Sequence, residues 1–175
     1  MRHEPSTSDE KTRFVEVFSN TYDSIHRFVQ RRVPLDTVDD LVSQVYTTAW
    51  ARWSRVHPPE LPWLYGVARN VVRDWARQQS AASASQIADS VTASTDTSLD
   101  AISERECALS AFFSLPSDDR DLLMLVGWEL LDSADAASVL GISVPTFRVR
   151  LHRARARLEA AIVSKSTTSH ERTVK

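Results

Sequence analysis

Five arginines crowd one short stretch near the end of this 175-residue chain. Arg148, Arg150, Arg153, Arg155 and Arg157 lie between Ser143 and Leu158 with no acid among them. That stretch carries +5, which leaves −7 on the rest of a chain whose net charge is −2. Guanidinium groups pair with phosphates, and their donor fork fits the edge of guanine, so the chemistry indicated is local contact with nucleic acid. A second set, Arg69, Arg73 and Arg77, recurs at four-residue spacing, which places all three on one side of a helix. Catalysis finds no comparable support. The sequence offers neither a Ser/His/Asp set nor a glycine-rich phosphate loop, and His57 and Glu60 have no third ligand near them for a metal. The single Cys107 excludes an intramolecular disulfide and a cysteine-only zinc site. The expectation is a protein that binds and does not catalyse, with no cofactor, no metal and no small-molecule substrate.

The elements that position these groups read as helices. Hydrophobic residues make up 42% of the chain, enough for a core, and only 3 glycines interrupt it. Phe14, Val17, Phe18, Ile25, Phe28 and Val29 recur at helical spacing. Val38, Leu41, Val42, Val45, Tyr46, Ala49, Trp50 and Trp53 do so more regularly, as one face of a second helix after Pro34, with Asp36 or Thr37 as its cap. His57–Pro62 holds three prolines and reads as a loop. A third helix follows, burying Leu64, Val67, Ala68, Val71, Val72 and Trp75 and leaving the Arg69, Arg73 and Arg77 stripe open.

From Ser80 to Ser98 the composition turns to Ser, Ala and Thr, with Asp89 and Asp96 and no Lys or Arg. Such a segment buries too little to offset its ordering entropy and reads as a flexible linker. About 20 residues extended reach roughly 65 Å, close to two turns of duplex at ~3.4 Å per base pair. The fold class expected is therefore all-α: two small helical domains, 11–79 and 99–163, joined by a linker over 80–98, with a disordered polar tail over 164–175.

The second domain holds the sharpest local pattern. Ser117 reads as an N-cap, with Asp118 and Asp119 in the first turn of a helix that carries Leu122, Leu123, Leu125, Val126 and Trp128. Asp132 caps a short helix with Ala136, Val139 and Leu140 inward, and Gly141 supplies the left-handed residue that ends it. Ser143 caps the next helix, and Pro145 sits in its first turn. Phe147, Leu151, Ala154 and Leu158 then face the core while Thr146, Arg150, Arg153 and Arg157 project outward. This is a helix-turn-helix, and it is expected in the DNA-reading arrangement. A solvated basic hairpin would not combine a cap, a glycine turn and an acid-free arginine run.

These passages resemble the extracytoplasmic-function group of bacterial RNA polymerase sigma factors, over nearly the whole chain from Phe14 to Leu158. Val38-Asp-Asp-Leu-Val-Ser-Gln-Val-Tyr-Thr-Thr-Ala-Trp50 looks like the family's polymerase-binding segment, with Asp40 and Gln44 on its polar positions. Leu61-Pro-Trp-Leu-Tyr-Gly-Val-Ala-Arg-Asn-Val-Val-Arg-Asp74 is similar to the helix after the family's −10 reading loop. Leu140-Gly-Ile-Ser-Val-Pro-Thr-Phe-Arg-Val-Arg-Leu-His-Arg-Ala-Arg155 resembles its −35 reading helix. Leu130 and Pro145 stand where glycine is usual, and Val149 where a small polar residue is usual.

The resemblance implies promoter-directed transcription initiation, with core RNA polymerase and promoter DNA as partners and an anti-sigma factor as a further one. It assigns Asp40 and Gln44 to polymerase, and His57, Arg69, Asn70, Arg73 and Arg77 to the −10 element. Thr146, Arg148, Arg150, Arg153 and Arg157 fall to the −35 element. The polar start of the chain, with no run of about 18 apolar residues anywhere, places it in the cytoplasm. A DNA-binding regulator acting without polymerase would leave the Val38–Arg77 passages without a role, and a protein-binding adaptor would not need the arginines.

Overall fold

The computed structural model describes residues 7–56, 58–83 and 99–173. His57 and residues 84–98, and with them most of the expected linker, lie outside the described residues. Seven α-helices are described: α1 (Thr7–Gln30), α2 (Val38–Ala51), α3 (Glu60–Ser83), α4 (Leu99–Phe113), α5 (Ser117–Gly127), α6 (Ser133–Leu140) and α7 (Val144–Thr173). There is no strand among the described residues, as the helical periodicity and the scarcity of glycine require. The chain separates into two compact units.

In the N-terminal unit α1, α2 and α3 pack pairwise against one another. Ile25, Phe28 and Val29 of α1, Leu41, Val42, Val45 and Ala49 of α2, and Leu64, Ala68 and Val71 of α3 are all buried. Full burial of one such aliphatic or aromatic side chain stabilises by about 1.5–3 kcal/mol. This core therefore outweighs any surface ion pair in holding the three helices.

The entry to α2 differs from expectation. Thr37 occupies the cap position, but neither its side chain nor that of Asp36 caps the helix; the Thr37 hydroxyl donates to the Asp36 carboxylate at 3.1 Å. A 3-10 turn over Leu35–Thr37 supplies acceptors instead. Thr37 N–H reaches the Pro34 carbonyl at 3.1 Å, and Val38 N–H reaches that of Leu35.

The expected loop His57–Pro62 is shorter than its prolines suggest. α3 already begins at Glu60, and Pro62 is buried inside its first turn. An N–H in the first turn has no intrahelical acceptor, so a proline there loses no bond.

In the C-terminal unit α7 packs on both α4 and α5. Ala111, Phe112, Leu115, Leu122, Leu125, Phe147, Leu151 and Ala154 are buried, and Leu158 packs against the Phe112, Leu115 and Met124 cluster. The cap of α5 is another correction. Pro116, with φ −53° and ψ 145°, holds the position expected of Ser117. Its carbonyl takes the N–H groups of Asp119 and Arg120 at 3.0 and 3.1 Å. The prolyl ring presets the angle a cap needs, and Ser117 becomes the first helical residue. α7 is helical to Thr173, through most of the segment 164–175 expected as a disordered tail. Each residue added to a formed helix gains one hydrogen bond, so a well-nucleated helix extends readily.

Candidate nucleic-acid interface

Local chemistry shapes the turn between α6 and α7. Asp132 Oδ1 accepts the N–H groups of Ala134 and Asp135, both at 2.8 Å, and so fills two of the acceptor gaps at the start of α6. Ala136 and Ala137 are buried. Gly141 has φ +66°, and the Ile142 N–H returns to the Ala137 carbonyl at 3.0 Å, the closing bond of a left-handed helix end. Ser143 then opens α7: its Oγ lies 3.4 Å from the Thr146 N–H and 2.8 Å from the Thr146 hydroxyl. The Ser143 carbonyl accepts the Phe147 N–H at 2.9 Å. The short helix, left-handed glycine and capped second helix expected from the sequence are all present.

Burial along α7 sorts its residues. Phe147, Leu151 and Ala154 are buried, whereas Thr146, Arg148, Arg150, Arg153, Arg155 and Arg157 are exposed. At 3.6 residues per turn, Thr146, Arg150, Arg153 and Arg157 share one flank of the apolar face, and Arg148 and Arg155 share the other. Val149 and His152, both exposed, form the ridge between the flanks. The arrangement offers two rails of cation beside a ridge, which suits a groove lined by phosphates on both walls. Arg157 differs from its neighbours: its Nη1 lies 2.6 Å from Oδ2 of Asp119 on α5. Nothing in the sequence links those two residues.

On the N-terminal unit, Asp40 and Gln44 are exposed one turn apart on α2, on the side away from its buried face. Asn70, Arg73 and Arg77 are exposed on α3, and Arg69 is half-buried. Arg77 pairs with the Asp74 carboxylate within the same helix. His57 lies outside the described residues. Trp63 and Trp75 are both half-buried, so Trp75 is less sheltered than its apolar spacing implied.

Two features of this unit escaped the sequence. Arg13 reaches across from α1 to Oε1 of Glu60 at 2.7 Å and to the Val56 carbonyl at 3.5 Å, while its guanidinium lies 5.0 Å from the centre of the Trp53 ring. It thus ties the segment before α3 to the first helix. The hydrogen bond from Arg13 holds the Glu60 carboxyl below its ordinary pKa.

The second is an open aromatic groove between α1 and α2, lined by Phe14, Phe18, Tyr22, Tyr46 and Trp50. Phe14 packs edge-on to Trp50 at 4.9 Å, and Phe18 to Tyr46 at 4.6 Å. Phe18 and Trp50 stay 38% and 42% exposed, although both fall on the stripes expected to be buried. Burial pushes the Tyr46 hydroxyl up to about 12, against the opposing hydrogen bond with Thr21. The four-residue spacing of Phe14, Phe18 and Tyr22 is the signal that could have marked this stripe. Among the described residues no three His, Cys, Asp or Glu side chains gather as a metal site.

Residues 105–158 match the protein family described as sigma-70, region 4, the segment that holds α5, α6 and the arginine-rich part of α7. The chain is 32% identical over 130 residues to the extracytoplasmic-function RNA polymerase sigma factor EcfG of Rhodopseudomonas palustris, covering 73% of this chain and 72% of that one. It is 31% identical over 167 residues to the probable RNA polymerase sigma factor RfaY of Xanthomonas campestris, covering 89% of this chain but 41% of the relative, so it spans about two fifths of that protein.

Among solved structures, the sigma factor RpoE of Bartonella quintana, in complex with the anti-sigma factor NepR, shares the fold. Its TM-score is 0.67 at 23% identity, over 85% of this chain and 96% of that one. CnrH, in complex with the cytosolic domain of CnrY, has a TM-score of 0.61 at 23% identity, over 88% and 90%. The three passages of resemblance, the helix-turn-helix geometry and the similarity to EcfG over nearly three quarters of both chains agree: the chain belongs to the extracytoplasmic-function group of RNA polymerase sigma factors.

Proposed function

We propose that this chain binds core RNA polymerase and directs it to promoters by recognising a −10 and a −35 element, itself catalysing no step. The observation that carries this is the joint geometry of α6, Gly141 and α7. A capped helix and a left-handed glycine present a second helix whose exposed flanks carry arginine and whose third flank is core. Such a helix enters the major groove with its N-terminal residues towards the bases. Thr146 and Arg150 take the base edges, and Arg148 and Arg153 the phosphates. The domain over 99–163 performs this step, and the domain over 11–79 performs the other two.

Asp40 and Gln44, exposed on α2, contact the polymerase. The segment beginning at His57, with Arg69, Asn70, Arg73 and Arg77 on α3, takes the −10 strand. Capturing an unstacked base costs a few kcal/mol, which a pocket and adjacent cations return. The expected linker begins later than Ser80, because α3 runs to Ser83, and the residues between α3 and α4 join the two domains.

The partners are core polymerase, promoter DNA and an anti-sigma factor, the last by analogy with the complex of the sigma factor RpoE with the anti-sigma factor NepR. The protein works in the cytoplasm; no described helix is long and apolar enough to cross a membrane.

Adding the purified chain to core polymerase and measuring run-off transcripts tests this. Transcripts should appear only with the chain present and should fall when the −35 element is scrambled. Arg150→Ala should cost about 1–3 kcal/mol of discrimination between matched and scrambled elements. Equal transcription from both templates by the unmutated protein would overturn the assignment of α7.

A further inference from the structure

Asp119 is the buried carboxylate of the C-terminal unit, only 7% exposed, in the first turn of α5. Its Oδ2 accepts from Nη1 of Arg157 at 2.6 Å. Two other cations are near in sequence but differently placed. Arg120 gives its Nη1 to the Phe113 carbonyl at 2.8 Å, and Arg153 lies a full turn earlier on α7. A carboxylate removed from water needs a charge partner, because desolvation penalises an unpaired ion heavily. Arg157 can leave for a DNA phosphate only by stranding that carboxylate. A phosphate contact at the solvent-exposed edge of a duplex, screened by salt, returns less than the stranding costs.

We propose that Asp119 withdraws Arg157 from the DNA-facing flank of α7 and sets the number of phosphates that flank can neutralise. Arg157 is then a positioning residue that ties the recognition helix to α5, and Arg150 and Arg153 alone supply cations on that flank. The sequence groups Arg157 with them by spacing. The pair across 38 residues separates it. This inference rests on the proposal that α7 binds promoter DNA, and it deepens that proposal by dividing the arginines between DNA contact and helix placement.

The test measures promoter affinity of holoenzyme, formed from core polymerase and the full chain, across a KCl series. Arg153→Gln should flatten the slope of log affinity against log salt by about one phosphate contact. Arg157→Gln should leave the slope of the unmutated protein, while lowering its thermal midpoint. Asp119→Asn, which frees the guanidinium, should steepen the slope by about one contact. A role confined to stability would leave that slope unmoved. Arg157→Lys keeps a cation beside Asp119 and should restore the midpoint without changing the slope.

Thermal melts of the free chain form the second arm. The destabilisations of Asp119→Asn and Arg157→Gln should sum to more than that of the double variant. If Arg157→Gln flattens the slope as much as Arg153→Gln, or if the two single effects simply add in the melts, the proposal is wrong. Loss of holoenzyme formation by the unmutated chain would instead overturn the sigma-factor proposal, and the melts would still decide whether Asp119 and Arg157 are coupled.

Discussion

Arg13 shows how a single side chain can serve a site it does not line. It bonds Glu60 at 2.7 Å and stacks over Trp53, which pins the start of α3 and the chain before it. The Arg13 hydrogen bond lowers the Glu60 pKa in the folded protein. A carboxyl depressed on folding adds stability above its unfolded pKa, about 4.3, and loses it as pH falls through the lower folded value. Glu60→Gln should therefore lower the melting temperature at pH 6–8. The gap from the unmutated protein should narrow once the pH falls below the unfolded pKa and close below the lowered folded value. Arg13 is partly exposed, so the stability lost should be small, on the order of 0–1 kcal/mol. A gap that stays constant down to the lowest pH at which the protein still folds would mean that the charge of Glu60 contributes nothing.

Among the elements, α6 is the shortest α-helix described and depends most on what precedes and follows it. Gly141 at its end is free to take φ +66°, but Leu130 before it holds φ +53° with a β-carbon. The left-handed turn lets Leu131 N–H reach the Leu125 carbonyl at 3.0 Å, so the conformation is needed where the family usually places glycine. The Leu130 side chain is 81% exposed and contributes little packing in return. A non-glycine residue pays about 1–2 kcal/mol for this conformation. Glycine relieves that and gives back part in unfolded-chain entropy. Leu130→Gly should stabilise the C-terminal unit by about 0.5–1 kcal/mol in denaturant melts, whereas Leu130→Ala should not. Equal effects from both would locate the gain in lost apolar exposure and not in backbone strain.

For the whole molecule, the proposed function requires the N-terminal unit to meet polymerase and the −10 strand while the C-terminal unit meets the −35 element. Asp40 and Gln44 are exposed and contribute nothing to the core of their unit. Replacing both with Ala should leave the melting profile within about 0.5 kcal/mol. Affinity for core polymerase in a competition assay should drop at least about tenfold, about 1.4 kcal/mol. Unchanged competition would move the polymerase contact off this face of α2. The aromatic groove around Phe18 and Trp50 would then be the next surface to vary.

The helix-turn-helix was legible from the residues alone because each of its signals is short-range. A capping aspartate acts two and three residues ahead, a glycine sets its own φ, and the apolar spacing of Phe147, Leu151 and Ala154 repeats within a few turns. The same holds for the core stripes of α2 and α3 apart from Trp50 and Trp75, whose exposure depends on neighbouring helices and not on period. Prolines misled in both directions. Pro62 sits harmlessly in a first turn, and Pro116 takes a cap position assigned to Ser117, since neither sequence pattern reveals where the first hydrogen bond of a helix closes.

What only the tertiary structure decided are the pairings between distant segments. Arg13 meets Glu60 across 47 residues and Asp119 meets Arg157 across 38, and Phe18 and Trp50 stay partly open in a groove between two helices. Helical period specifies the direction in which a side chain leaves its own helix. Its partner depends on how two helices pack, and that is set by the summed burial of the core, which no local spacing encodes.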